Sequence, residues 1–116
     1  MKGILRIITV LAFSFSVHAN DCNEPITKER FTSLYKTVKV KQDDYQRYQL
    51  IVAYAKRECL TVSQLSSFID LIEEHKVKVS TVQSAYNYLF DIENVDQLTK
   101  DFTEHEKLVI QKVIKK

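Results

Sequence analysis

Leu60-Thr61-Val62-Ser63-Gln64-Leu65-Ser66-Ser67-Phe68-Ile69-Asp70-Leu71-Ile72 is the stretch that decides the fold. Leu65, Phe68, Ile69 and Ile72 recur at i, i+3, i+4 and i+7, the spacing that places four apolar side chains on one helical face. Thr61 and Gln64 stand just ahead of that stripe at capping-box spacing. The hydroxyl accepts the amide three residues on, and the Gln side chain accepts the cap residue's own N–H. A start signal joined to a 3.6-residue period predicts a helix.

The same period runs outward in both directions. Phe31, Leu34, Tyr35 and Val38 form one stripe, and Tyr48, Ile51, Val52, Ala55 and Cys59 form another. Beyond the central stretch come Val82, Ala85, Tyr86 and Leu89, then Val95, Leu98 and Phe102, and finally Ile110, Val113 and Ile114. Ser80 with Gln83 and Thr103 with Glu106 repeat the capping-box spacing, while Thr27, Asp43 and Asn94 are expected caps for the other helices. The sequence has one glycine, Gly3, and one proline, Pro25, so the turns after Ile26 rest on other residues. That composition favours helices joined by short polar connections. Val38-Lys39-Val40-Lys41 and Val77-Lys78-Val79 alternate as short strands do, and are read as connections between helices. The expected fold is all-α, a compact bundle of about five to six short helices. Ala53-Tyr54, Gln64-Leu65 and Phe68 find an echo in Ala85-Tyr86, Gln97-Leu98 and Phe102, so a duplicated helical hairpin is a further reading of the same bundle.

The N-terminal end reads as an address. Lys2 and Arg6 give the positive start of an apolar run that reaches Val17, and Val17-His18-Ala19 has the small-residue pattern of a cleavage site. Residues 1–19 are expected to be a secretory signal peptide, 20–26 an N-terminal tail and 27–116 the helical domain. Removing the leader leaves about 97 residues of the 116, enough for one core. The leader holds two of the 17 basic residues, so the remainder balances at 15 basic and 15 acidic. A neutral domain lacks the electrostatic footprint of a nucleic-acid binder. Export would place Cys22 and Cys59 where disulfides persist, and one bridge between them is expected. Their spacing does not suit a redox-active dithiol, whose cysteines stand two residues apart.

The run Ala85-Tyr86, Asp91, Asn94, Leu98 and Phe102, together with Leu60 to Leu65, resembles the domain-of-unknown-function family 4476. With Phe31, Leu34 and Val38 the resemblance covers the chain from about Glu29 to Phe102, and it departs from the usual pattern between Glu73 and Val79. The resemblance implies an all-helical domain frequent in exported bacterial proteins, and it implies no reaction. No catalytic residue carries over from it. Asp91 and Asn94, with short polar side chains, are expected to satisfy backbone groups at a turn.

Candidate chemistry is sparse. His75 and His105 have acidic neighbours in Glu73-Glu74-His75 and Glu104-His105-Glu106, making them weak candidates for a metal site without the His-Glu-x-x-His spacing that aims two imidazoles at one ion. The serines fall at helix starts or on helix faces, and carboxylate pairs such as Asp43-Asp44 and Glu73-Glu74 read as a cap and solvated faces. With no glycine after the leader, a phosphate-cradling loop is excluded. Tyr35, Tyr54 and Tyr86 are expected in the core with hydroxyls at its rim. Tyr45, Tyr48 and Tyr88 are less constrained and are the expected interaction surface, since Tyr is enriched at interfaces. Lys107, Lys112, Lys115 and Lys116 complement a helix C-terminus, and membrane contact beyond the leader is not expected. The sequence therefore reads as an exported protein, periplasmic or secreted, without catalytic residues or cofactor. It would serve as an interaction or accessory module of the bacterial envelope for an unidentified protein partner. The alternative is a small metal-binding protein or enzyme built on His75, His105 and nearby carboxylates.

Overall fold

The computed structural model describes residues 22–114, with side chains to Ile110. The expected leader, residues 1–19, lies outside the described residues. Among the described residues five α-helices follow one another: α1 Lys28–Lys39, α2 Asp44–Arg57, α3 Val62–Ile69, α4 His75–Ala85 and α5 Glu104–Ile114. Two 3-10 segments, Tyr86–Tyr88 and Ile92–Gln97, lie between α4 and α5. The chain is an all-α bundle, with no strand among the described residues.

The apolar stripes meet in one core. Phe68 is fully buried and has the rings of Phe31, Tyr35 and Tyr54 within 5.1 to 6.1 Å of its own. Leu34, Val38, Ile51 and Ala55 belong to the same buried cluster, and Val82, Ala85, Tyr86, Leu89, Leu98, Phe102 and Ile110 extend it. Tyr86 departs from expectation: its hydroxyl is buried and has no partner among the described residues, so it does not reach the rim. Burial pushes its phenol up from the ordinary range.

Three caps form as their spacing predicts. Thr27 accepts from the Arg30 amide, Asp43 from the Gln46 amide, and the Thr61–Gln64 box closes reciprocally. Thr103 and Glu106 form a second complete box ahead of α5. Ser80 does not cap anything; it sits exposed in the middle of α4, which begins six residues earlier than a cap at Ser80 would place it. The reason is a carboxylate from elsewhere. Asp44 accepts the amides of Glu73 at 3.0 Å and Glu74 at 2.8 Å, fixing the backbone ahead of α4. Val77-Lys78-Val79 is therefore helical, and buried Thr81 satisfies its hydroxyl on the Val77 carbonyl at 2.7 Å.

The region Val95 to Phe102 is the second correction. Asn94 lies inside a 3-10 segment and caps no α-helix. Amides of Leu98, Thr99 and Phe102 bond three residues back, to Val95, Asp96 and Thr99. Ile92, Val95 and Leu98 are spaced by three, and residues three apart eclipse in a 3-10 turn, so this geometry aligns them. The expected second hairpin thus has one α-helical arm only.

An extended connection, Glu58 to Thr61, ties the bundle together. Arg30 of α1 pairs with Glu58 at 2.7 Å. Cys59 is bridged to Cys22, with Cα atoms 5.4 Å apart, and its carbonyl accepts the Ile26 amide at 2.9 Å, so the tail is tied to the connection between α2 and α3. On the other side the Phe90 amide donates to the Leu60 carbonyl at 2.8 Å. The Val62 amide donates to Asp91 Oδ1 at 2.7 Å, while Asn94 Nδ2 donates to Asp91 Oδ2 at 3.1 Å.

Three outcomes test this frame. Cys59→Ser opens a 37-residue loop; chain entropy gives a loss of roughly 3 to 4 kcal/mol. The thermal midpoint of the oxidised protein should then fall by more than about 10 °C, read by circular dichroism. Asp91→Ala strands the Val62 amide and should cost about 1 to 3 kcal/mol in urea unfolding. For Asp44, burial opposes ionisation, but the amides of Glu73 and Glu74 and the Arg47 guanidinium outweigh it and hold the carboxyl below its ordinary value. A lowered folded pKa gives stability that is present above the ordinary value near 3.9 and lost as pH falls through the folded value. Asp44→Asn should therefore flatten the acid limb of a stability-against-pH curve.

Candidate functional site

Three concavities, the first two adjoining, carry the side chains singled out in the sequence. The first lies between α2 and α4. Asp43 caps α2, and its first turn presents Tyr45 and Tyr48 three residues apart, on one side of the helix. Their rings stack at 6.3 Å with planes 25° apart. The Tyr48 hydroxyl is hydrogen-bonded to Ser84 of α4 at 3.1 Å, and Gln49 donates to the Tyr45 hydroxyl at 3.3 Å. Tyr45 is 65% exposed. With Glu74, Val77 and Ser80 the two rings line a groove of about 390 Å³.

A neighbouring hollow of about 500 Å³ shares Asp44 and Glu74 with that groove and adds Asp43, Arg47 and Glu73. Arg47 is engaged within the fold, on Asp44 at 3.0 Å and on the Lys41 carbonyl at 2.7 Å. Asp43, Glu73 and Glu74 are exposed, and no ion pair among the described residues includes them. Tyr88 belongs elsewhere. It is half-buried in the first 3-10 segment, its carbonyl oxygen lies 4.0 Å from the Cys22 sulfur, and it lines neither concavity.

The third concavity, about 320 Å³, lies beside α3 and α4 and includes His75, Lys78, Lys100 and Asp101 over a floor of Leu98 and Phe102. His75 Nε2 is 2.8 Å from Glu106 Oε1, and its ring meets Phe102 edge-on at 5.4 Å. The bond from His75 holds the Glu106 carboxyl below the usual carboxylate range, helped by the Thr103 amide. The pair is an ion pair when His75 is protonated and a hydrogen bond from a neutral imidazole to the carboxylate otherwise. A His oriented by a carboxylate is two thirds of a nucleophilic triad. Ser66 lines the same hollow, yet no hydroxyl among the described residues is hydrogen-bonded to His75.

His105 stands exposed on α5, and its side chain takes part in no hydrogen bond or ion pair among the described residues. The two histidines are thus not brought to one point. No group of three His, Cys, Asp or Glu side chains suited to a metal ion occurs among the described residues. Two contacts escaped the sequence reading, Asp44 on the α4 approach and Glu106 on His75. Each joins residues about 30 positions apart, and neither leaves a local pattern.

No helix among the described residues is long and apolar enough to cross a membrane. Searches of curated proteins and of solved structures return no match to this chain. The family described as "Domain of unknown function (DUF4476)" matches over residues 25–114, a span that holds both the Leu60–Leu65 and the Ala85–Phe102 markers, and the chain belongs to that family.

Proposed function

We propose that this domain is an exported, non-catalytic interaction module of the bacterial envelope, and that it meets a protein partner through the α2–α4 face centred on Tyr45 and Tyr48. The observation that carries this reading is the stacked tyrosine pair. Tyr45 stands 65% exposed, while its neighbour's hydroxyl is fixed on Ser84. Large rings held in place before contact lose little freedom on binding, which is why Tyr dominates contact surfaces. Export is supported by the leader pattern of residues 1–19 and by the Cys22–Cys59 bridge, a linkage of oxidising compartments. The alternative, a small enzyme or metal-dependent factor, draws on the His75–Glu106 pair and its hollow, with His105 taking no part.

The test uses the full chain in its producing cell, with a photo-crosslinking residue in place of Tyr45 or, as a control on the same helix, Lys56. Illumination should give discrete adducts from position 45 and none from position 56. Equal adducts from both positions, or none from position 45, would remove this face as the contact surface.

A further inference from the structure

We infer that the groove between α2 and α4 receives Lys or Arg side chains from a basic segment of the partner. This rests on the interaction reading above and adds the chemistry of what is bound. The face of an aromatic ring carries partial negative charge and attracts a cation within about 6 Å. The fold already uses this pairing once, with the Arg57 guanidinium 5.6 Å from the Tyr54 ring centre. At Tyr45 and Tyr48 two such rings are stacked together at the surface, with no cation over either among the described residues.

The surroundings select the same charge. Glu74 stands in the groove, and Asp43 and Glu73 in the adjoining hollow, all three exposed. Among the described residues Arg47 is the single cation lining either space, and it is already held by the Asp44 carboxylate and the Lys41 carbonyl. Asp44 is likewise taken up by the Glu73 and Glu74 amides. What remains for a partner is the Glu73 and Glu74 carboxylates, with the second oxygen of Asp43, whose first caps α2, beside two ring faces. A long basic side chain suits this arrangement: its methylene stem lies along Val77 and the rings while its head reaches Glu74. The two spaces adjoin, so a segment with neighbouring basic residues can place one head in each. An acidic segment meets repulsion from the same three groups.

Purified, oxidised full-length chain is titrated with acetylated, amidated tetra-arginine and followed by amide NMR shifts and calorimetry. Acetylated tetra-glutamate and a neutral hexasaccharide serve as the other arms. Tetra-arginine should saturate, with the largest shifts at Tyr45, Tyr48 and Glu74, and tetra-glutamate and the sugar should not bind. Tyr45→Ala should weaken binding by about five-fold or more and Tyr45→Phe should retain it, since the ring supplies the attraction. Glu73→Gln with Glu74→Gln should weaken it by about ten-fold, whereas Glu93→Gln, on the exposed 3-10 segment, should leave it unchanged. Melting curves of each variant confirm folding before binding is read.

Absence of saturation by tetra-arginine overturns the inference. So does an unchanged affinity in Tyr45→Ala, which would reduce the binding to diffuse attraction, or binding of the hexasaccharide in its place. The in-cell crosslink separates this inference from the reading beneath it. An adduct at position 45 whose partner segment has no Lys or Arg refutes the cation pocket and leaves the interaction module standing.

Discussion

The bond from the Val62 amide to the Asp91 carboxylate is the contact on which the arrangement of this bundle depends. Val62 opens α3, and the first amides of a helix have no partner within it. Thr61 satisfies the Gln64 amide and Gln64 returns the bond to Thr61, but the Val62 amide needs an acceptor from outside. Asp91 supplies it from 29 residues away, steadied by Asn94. The neighbouring Phe90 amide seats on the Leu60 carbonyl. The two bonds fix where the chain after α4 crosses α3, and with it the placement of Leu89, Leu98 and Phe102 in the core. The two family markers are therefore the two sides of one junction.

A second distant aspartate works by the same physics. Asp44 closes on the amides ahead of α4 much as Asp91 closes on the start of α3. Glu106 reaches from α5 to His75, the first residue of the same helix. The start of α4 is thus held from α2 on one side and from α5 on the other, although its own cap residue, Glu74, makes no side-chain bond. This clamp also sets the proposed binding face, because the position of α4 determines where Val77, Ser80 and Ser84 stand against Tyr45 and Tyr48.

The sequence made the core legible because burial follows periodicity. Leu65, Phe68, Ile69 and Ile72 are buried, as are Val82, Ala85, Tyr86 and Leu89, even though the latter four run from α-helix through a 3-10 turn. Local caps at Thr27, Asp43, Thr61 and Thr103 were equally readable, since each acts within four residues. What the pattern hid was tertiary. Nothing local told that Asp44 would start α4 before Ser80, or that Glu106 would meet His75. The three-residue spacing of Ile92, Val95 and Leu98 was visible, but it suits one face of an α-helix almost as well as a 3-10 turn. Of the tyrosine trio, Tyr45 and Tyr48 meet because one helical turn separates them, whereas the place of Tyr88 follows from the chain beyond α4.

No residue among those described has a positive φ. The helices end in right-handed turns at Val40 and Asp70 or in extended backbone at Glu58, conformations open to any side chain with a Cβ. Such a frame places no glycine under selection at its corners. Each corner can then carry any side chain with a Cβ, so the connections set no residue type by backbone conformation alone.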